Sequence, residues 1–230
     1  MTKYFRTHPF ATGGLLVLPL LVFIILMNRY FPATAPDSFK SFIVAFEFAT
    51  TPEHIHNLFN NMSAESIRNI DYGNYIDFGF MLTYSVLLAF LFVKAARIFK
   101  KKWLYLGIPI SIIVFLADFT ENIFLLKITG IYVSGLNETV LIAILEKLQV
   151  ATWTKWGGLA FGFLLFYEVM LRLNWFYKII GLACLFPFLY ILATGLQTPS
   201  EITIFTLSVF IIFFVLILFS FTYKKSDDIF

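Results

Sequence analysis

The sequence has little charge and almost no cysteine. Only 13% of its 230 residues are Asp, Glu, Lys or Arg, against about 25% in a typical soluble domain. The single cysteine, Cys184, excludes an intramolecular disulfide. The net charge of +3 forms no basic face that would bind nucleic acid.

Apolar residues make up 60% of the chain, including 30 Phe, which is typical of a protein that resides in lipid. A helix needs roughly 20 apolar residues to cross a hydrocarbon core of about 30 Å. The sequence therefore predicts an all-α, polytopic membrane protein with one integral membrane domain, 1–230. Its six-transmembrane-helix bundle has spans at about 11–31, 76–98, 103–126, 151–172, 175–195 and 203–223.

Basic residues predict the orientation of the bundle, because Lys and Arg are enriched in short cytoplasmic loops. They precede the first span, join the second to the third and the fourth to the fifth, and follow the sixth. We therefore expect both termini in the cytoplasm. The first span resembles a signal peptide, but its length and Pro36 after Ala33-Thr34-Ala35 favour an uncleaved anchor.

The external loop between helices 1 and 2, residues 32–74, is predicted to form a structured cap. Its segment 41–49, "SFIVAFEFA", fits a strand or a helix. Thr50 or Thr51 is predicted to cap a helix that starts at Pro52, and Ser63 to cap a second short helix through Ile70. A further external helix, with apolar residues at helical spacing over 135–150, leads into the fourth span.

Ionisable side chains within membrane spans are costly and usually face the bundle interior or a cavity. The sequence has four such side chains in the outer halves of the predicted spans: Asp77, Asp118, Glu121 and Lys155. Counted from the cytoplasmic ends of their spans, they lie 15 to 18 positions deep, or roughly 22 to 27 Å. They therefore share one level in the outer part of the bilayer.

Helical spacing also predicts which way these side chains point. Asp118, Glu121 and Asn122 share a stripe of the third span, and Tyr84 lies two turns from Asp77 on one face of the second. Lys155 shares its side with Gly158 and Gly162, a usual contact surface between membrane helices. Glu47 of the cap is expected over the same level, while Trp153 and Trp156 suit the external interface.

Two interpretations of this constellation stay open. Lys155 neutralises Asp118 or Glu121 in a closed salt-bridge network, or the surplus of acids surrounds a cavity that holds water, a cation or a ligand amine. In the second case Asp118 and Glu121 are candidates for general acid and base, although no nucleophile or metal set accompanies them. The predicted ligand-binding residues are Glu47, Asp77, Tyr84, Asp118, Glu121, Asn122 and Lys155.

Other polar residues predict no separate site. His54 and His56 point about 200° apart on a helix, so one metal ion is not expected to take both. The aromatic excess fits packing and lipid contact, and no metal or cofactor is predicted. Glu168, in the fourth span, either reaches the cytoplasmic surface or pairs within the bundle.

The chain resembles a group of bacterial multi-span inner-membrane proteins of unknown function. The matching pieces are Phe46-Glu47-Phe48-Ala49, Asp77-Phe78 followed by Tyr84, Asp118-Phe119-Thr120-Glu121-Asn122, and Lys155-Trp156, within residues 43–160. The resemblance implies a location in the bacterial inner membrane and supplies no activity.

Three functions follow from these features. The first is a pocket near the external face that binds or processes a lipid or small amphiphile. The second is a non-catalytic membrane subunit or scaffold whose buried charges are structural. The third is proton or cation transport, which the apolar inner halves of the second and third spans, "LLAFLFV" and "IPISIIVF", disfavour.

Overall fold

In a computed structural model, the chain is described over residues 2–36, 39–135 and 137–225, and these residues form helices and connecting turns without a strand. Residues 37 and 38 of the predicted cap lie outside the described residues. The helices are α1 (Thr2–Thr7), α2 (Ala11–Gly14), α3 (Val17–Met27), α4 (Phe42–Glu47), α5 (Pro52–Phe59), α6 (Ala64–Ile98), a 3₁₀ helix (Lys102–Leu106), α7 (Gly107–Ser134), α8 (Glu138–Leu171), α9 (Trp175–Thr194) and α10 (Pro199–Thr222).

Within the described ranges, four helical segments are long and apolar enough to cross a membrane: α6, the continuous stretch Lys102–Ser134, α9 and α10. The predicted first span is shorter, because its apolar helix covers only Ala11–Met27 and is divided between α2 and α3. The predicted fourth span lies in α8, which has 34 residues but carries Lys155 within its apolar part. The all-helical class is thus confirmed, with four helices of spanning length and hydropathy. The predicted number of six transmembrane spans is not confirmed.

Side-chain caps begin several helices as the sequence predicts. Thr51 accepts a hydrogen bond from the His54 backbone N–H at the start of α5, and Ser63 accepts one from Ser66 at the start of α6. The predicted short helix from Ser63 through Ile70 is wrong, however, because α6 continues without a break into the span. No Pro interrupts it. Gly73 is tolerated there because the Phe31 ring packs against its open face.

The cap docks on the adjoining ends of three long helices. The undecided segment 41–49 contains the helix α4, which presents Phe42 and Phe46 to α5. Together with α5, these residues form an apolar cluster that also includes Ile67, Ile70, Leu125, Ile128, Leu141, Leu145 and Leu148 of α6, α7 and α8. The loop is therefore structured, and α4 is held directly above the interface of α7 and α8.

Close helix contacts in the bundle depend on glycines that leave room for a neighbour. A Cβ atom at Gly181 of α9 would lie 2.8 Å from the Met170 Cβ and 3.2 Å from the Tyr167 backbone oxygen of α8. A Cβ at Gly158 of α8 would lie 2.6 Å from Val114 of α7. These approaches bring α7, α8 and α9 together side by side.

We expect Gly181→Ala to destabilise the protein by about 1–3 kcal/mol, because the added methyl group meets a rigid Cβ and a backbone oxygen. Gly157→Ala is the matched control, since a Cβ at Gly157 would meet nothing within 4 Å. Unfolding of both variants in a neutral detergent would measure the difference. Equal stability of the two variants would contradict this packing of α8 on α9.

Candidate functional site

A buried lysine lies at the centre of a group of carboxylates. The Lys155 Nζ is 3.0 Å from Glu47 Oε1 and 3.3 Å from Asp118 Oδ1, and it also donates a hydrogen bond to Glu121. Lys155 is 4% exposed and Glu121 is fully buried. We call these four residues the charge cluster.

Three separate elements supply the charge cluster. Glu47 ends α4, Asp118 and Glu121 lie one turn apart on α7, and Lys155 lies on α8. Lys155 reaches α7 because Gly158, one turn further along α8, allows the close approach of Val114. The predicted common depth and inward orientation are therefore observed for these residues.

Several neutral side chains complete the hydrogen bonding of Glu47. Trp156 Nε1 donates to Glu47 Oε2 over 3.0 Å, and Thr152 Oγ1 donates to the Glu47 backbone oxygen over 3.1 Å. Gln149 donates to the Ala49 backbone oxygen over 2.9 Å. Trp156 is thus buried inside the bundle, where its N–H binds Glu47, and it does not face the protein surface as an interfacial Trp would.

Thr152 links Glu121 of α7 to Glu47 of α4, and it was not predicted from the sequence. Its hydroxyl lies within hydrogen-bond distance of both the Glu121 carboxylate and the Glu47 backbone oxygen. It lies one turn before Lys155 on α8, so helical spacing was the available signal. A single Thr in a helix is common, however, and nothing else in the sequence distinguishes it or Gln149.

The remaining predicted residues extend the site along α6 and α7. Tyr84 donates a hydrogen bond to Asp118, and Asn122 Nδ2 donates to Asp77 Oδ2 over 2.7 Å. Asp77 is half-buried and has no Lys or Arg within salt-bridge distance among the described residues. The predicted residues therefore meet, with Asp77 and Asn122 forming a pair beside the charge cluster.

Charge is not balanced at this level of the bundle. Four carboxyl groups face one ammonium group, and Asp77 has only a neutral hydrogen-bond donor. Burial raises the pKa of Glu47, the member of the cluster outside the long helices, and the attraction of Lys155 partly offsets that rise. The cluster thus holds surplus negative charge or bound protons.

The core on the other side of the cluster is apolar. Leu87, Leu88, Leu91 and Phe92 of α6 are buried there, as are Phe163 and Phe166 of α8. Ser111 of α7 is also buried, but its hydroxyl binds the Gly107 oxygen of its own helix. The polar side chains of the site are therefore concentrated toward the cap.

Two cavities lie near the site. The cap cavity, of about 310 Å³, is formed by the cap, α8 and the α9–α10 connection, and Phe48, Thr50, His54, Gln149, Trp153 and Gln197 contribute to its wall. The lateral groove, of about 590 Å³, runs between α7 and α8 and is mostly apolar. Neither is lined by a member of the charge cluster. Gln149 and Phe48 separate the cap cavity from Glu47.

The other candidate residues have local roles. Glu168 forms an exposed ion pair with Arg172 one turn further along the chain. His54 accepts a hydrogen bond from the Thr50 backbone N–H, whereas the His56 ring lies near Tyr132. Within the described ranges, no group of three or more His, Cys, Asp or Glu side chains is arranged to hold a metal ion.

No protein-family model, curated protein or solved structure matches this chain. The likeness to a group of bacterial inner-membrane proteins therefore stays a prediction. The site has to be interpreted from its own geometry and charge.

We expect Lys155→Met to destabilise the protein by about 3–5 kcal/mol, because it leaves buried carboxylates without their cation. Adding Glu121→Gln should recover part of the loss, since the double change removes one charge of each sign. A double-mutant cycle measured by unfolding in detergent gives the coupling.

Glu168→Gln is the control for that cycle, because the exposed Glu168–Arg172 pair is expected to contribute only about 0–1 kcal/mol. A Lys155→Met variant no less stable than Glu168→Gln would contradict the central position of the ammonium group.

A pH dependence follows from the raised pKa of Glu47. The folded state holds a proton on this carboxyl more tightly than the unfolded state, so the associated stability is present below the ordinary pKa of 4.5. It is lost as the pH rises through the folded-state pKa. We expect the free energy of unfolding to fall less steeply above about pH 4.5 in Glu47→Gln than in the unchanged protein.

Equilibrium unfolding over a pH series measures these slopes. Glu53→Gln is the matched control, since Glu53 is an exposed acid of the same cap. Identical slopes in the unchanged protein and Glu47→Gln would show that the pKa of Glu47 is not raised by folding.

Proposed function

We propose that the chain is a six-span protein of the bacterial inner membrane, with both termini in the cytoplasm, that binds a lipid or small amphiphile on its external side. Support for two further spans comes from packing. α8 lies between α7 and α9 and is longer than either. α3 packs against α6, where Phe23 fills the space beside Gly79.

The observation that carries the binding proposal is the cap cavity. Its wall combines apolar side chains such as Phe39, Leu58 and Ile202 with the polar groups of Thr50, His54 and Gln149. Concave sites lined mainly by apolar groups with a few polar ones are typical of small-molecule binding. This mixture suits a molecule with a hydrocarbon chain and a polar head.

The charge beside the cavity favours a cationic head. Gln149, in the cavity wall, donates to the backbone oxygens of Glu47 and Ala49, so the cavity lies beside the residue that carries one of these carboxyls. A low-dielectric wall concentrates the field of such charges. An amphiphile with an amine head is therefore preferred over one with a carboxylate head.

A second candidate function is that of a non-catalytic scaffold. The observation that favours it is the closed state of the charge cluster, in which the ammonium and carboxylate side chains are at most 9% exposed and bind one another. Buried ion networks of this kind fix the register of packed elements. In this role the cluster would tie the cap to the bundle and bind no ligand.

The two candidates are separated by thermal unfolding in neutral detergent with added dodecylamine, dodecanol or dodecanoic acid at equal concentrations. A ligand that binds the folded state raises the unfolding temperature. We expect dodecylamine to raise it most, because its head is cationic. No preferential effect of the amine would favour the scaffold.

A matched pair of variants tests the location. Thr50→Trp fills the cap cavity from an exposed position, whereas Val150→Trp inserts the same side chain at an exposed position of the lateral groove. We expect the dodecylamine effect to be lost in Thr50→Trp and kept in Val150→Trp. Loss of the effect in Val150→Trp and its retention in Thr50→Trp would indicate that the ligand binds in the lateral groove.

A further inference from the structure

Polar side chains of α6 and α7 face one another at three successive levels. Thr129 donates to Asp71 over 2.6 Å near the cap, Asn122 donates to Asp77 over 2.7 Å below it, and Tyr84 donates to Asp118 of the charge cluster. From residue 71 to residue 84, α6 rises by roughly 20 Å. We call this row of pairs the α6–α7 seam.

Asn74 lies between the first two levels and is unsatisfied. It is fully buried, and neither its Nδ2 nor its Oδ1 has a hydrogen-bond partner among the described residues. Its backbone oxygen is 3.4 Å from Asn122 Nδ2, so the residue belongs to the seam. A buried carboxamide without partners is costly, and such groups are usually satisfied by ordered water.

Water fits the chemistry of this position better than an ion does. The Asn74 carboxamide needs both an acceptor for its N–H groups and a donor for its oxygen, and one kind of molecule supplies both. A metal cation would satisfy the oxygen alone. Buried waters typically make about three hydrogen bonds to such groups.

The seam is polar at one end only. Asp71, at the cap end, is partly exposed to the surface, as is Asp77 below it. Beyond Tyr84, Leu87, Leu88 and Val114 are buried, and no carboxyl or carboxamide lies among the buried described residues of this part of α6 and α7. The two buried hydroxyls there do not continue the row of pairs, because Ser111 donates to the Gly107 oxygen of its own helix and Ser85 contacts no polar partner among the described residues. A proton that reaches the charge cluster along the seam therefore has its exit on the cap side.

We propose that the α6–α7 seam holds ordered water at Asn74 and carries protons between the cap side of the membrane and the buried carboxyls. Each transfer moves a proton between a water oxygen and a carboxyl oxygen, and no covalent bond to carbon changes. The titratable groups that face the seam or the cluster are Asp71 and Asp77, Tyr84, Asp118 and Glu121, Lys155, and Glu47 of the cap. The inference is independent of any ligand in the cap cavity.

The rate of proton exchange at the buried carboxyls tests the proposal. After transfer of the purified protein to D₂O, infrared spectroscopy follows the shift of the carboxylic-acid C=O band. We expect Asn74→Leu to exchange about tenfold more slowly than the unchanged protein, the effect of losing one hydrogen-bonded step. Asn74→Ser keeps a polar group and room for water, so its exchange should stay fast.

Two hydroxyl deletions on α7 test the side from which protons enter. Thr129→Val removes a member of the seam at its cap end and should slow the exchange. Ser111→Ala removes a buried hydroxyl from the other half of the same helix and should leave the exchange unchanged. Slowing by Ser111→Ala and not by Thr129→Val would overturn the proposed direction.

The proposal fails if Asn74→Leu exchanges as fast as the unchanged protein, or if no carboxyl in the membrane carries an exchangeable proton between about pH 5 and pH 8. Thermal unfolding accompanies each measurement. A more stable Asn74→Leu variant with unchanged exchange would identify Asn74 as a dry, unpaired residue.

Discussion

The ammonium group of Lys155 imposes the strongest constraint on this structure. A charged lysine inside a membrane bundle is stable only when its charge is paired and its N–H groups are hydrogen-bonded. The partners come from α7 and from the end of α4. Three features of the fold are therefore linked through this one cation. The cap brings Glu47 to Lys155, the close approach of α7 to α8 brings Asp118 and Glu121 to it, and the buried Trp156 binds Glu47.

This constraint also separates the bundle into two chemically different halves. Pairing Lys155 gathers acids and amides near the cap, where α4 can contribute Glu47 and α6 can contribute Asp77 and Tyr84. Among the described residues the other half has no such centre, and the rings of Phe92 and Phe166 pack there at a tilt, with centroids 4.6 Å apart. Access to the polar groups is consequently one-sided. Ligand binding and proton exchange both fit such a site, whereas a path across the membrane does not.

The sequence predicted the cluster because two periodicities agreed. Equal depth in antiparallel helices placed Asp118, Glu121 and Lys155 at one level, and spacing of three or four residues predicted that they point inward. Neither periodicity applies to the short helix α4, so its type remained undecided until the cap was seen to pack on α6, α7 and α8. Length and hydropathy supported α6, α7, α9 and α10 alone, since Lys155 reduces the apolar character of α8.

The residues that were missed are neutral. Thr152, Gln149 and Asn74 carry no charge, and a single hydroxyl or carboxamide in a helix is too common to mark a site. Their roles depend on tertiary distances, such as the reach of Thr152 to both Glu121 and Glu47. A charged residue in an apolar span is rare enough to be noticed from its sequence position, and the uncharged Tyr84 and Asn122 were predicted through their helical spacing from such residues.

The carboxyls of the site differ in their partner, which is either the ammonium group of Lys155 or the carboxamide of Asn122. The partner affects how readily a carboxyl changes its protonation state. Lys155 favours the anionic form of the carboxyls that it contacts, because an ammonium group only donates hydrogen bonds, although burial outweighs this attraction at Glu47. Asp77 contacts Asn122, whose carboxamide donates to a carboxylate through Nδ2 and, once turned over, accepts from a carboxylic acid through Oδ1. This pair remains hydrogen-bonded in either protonation state. Asp77, half-buried and one turn from Asn74, is therefore the carboxyl best suited to take up and release protons while the cluster around Lys155 stays closed.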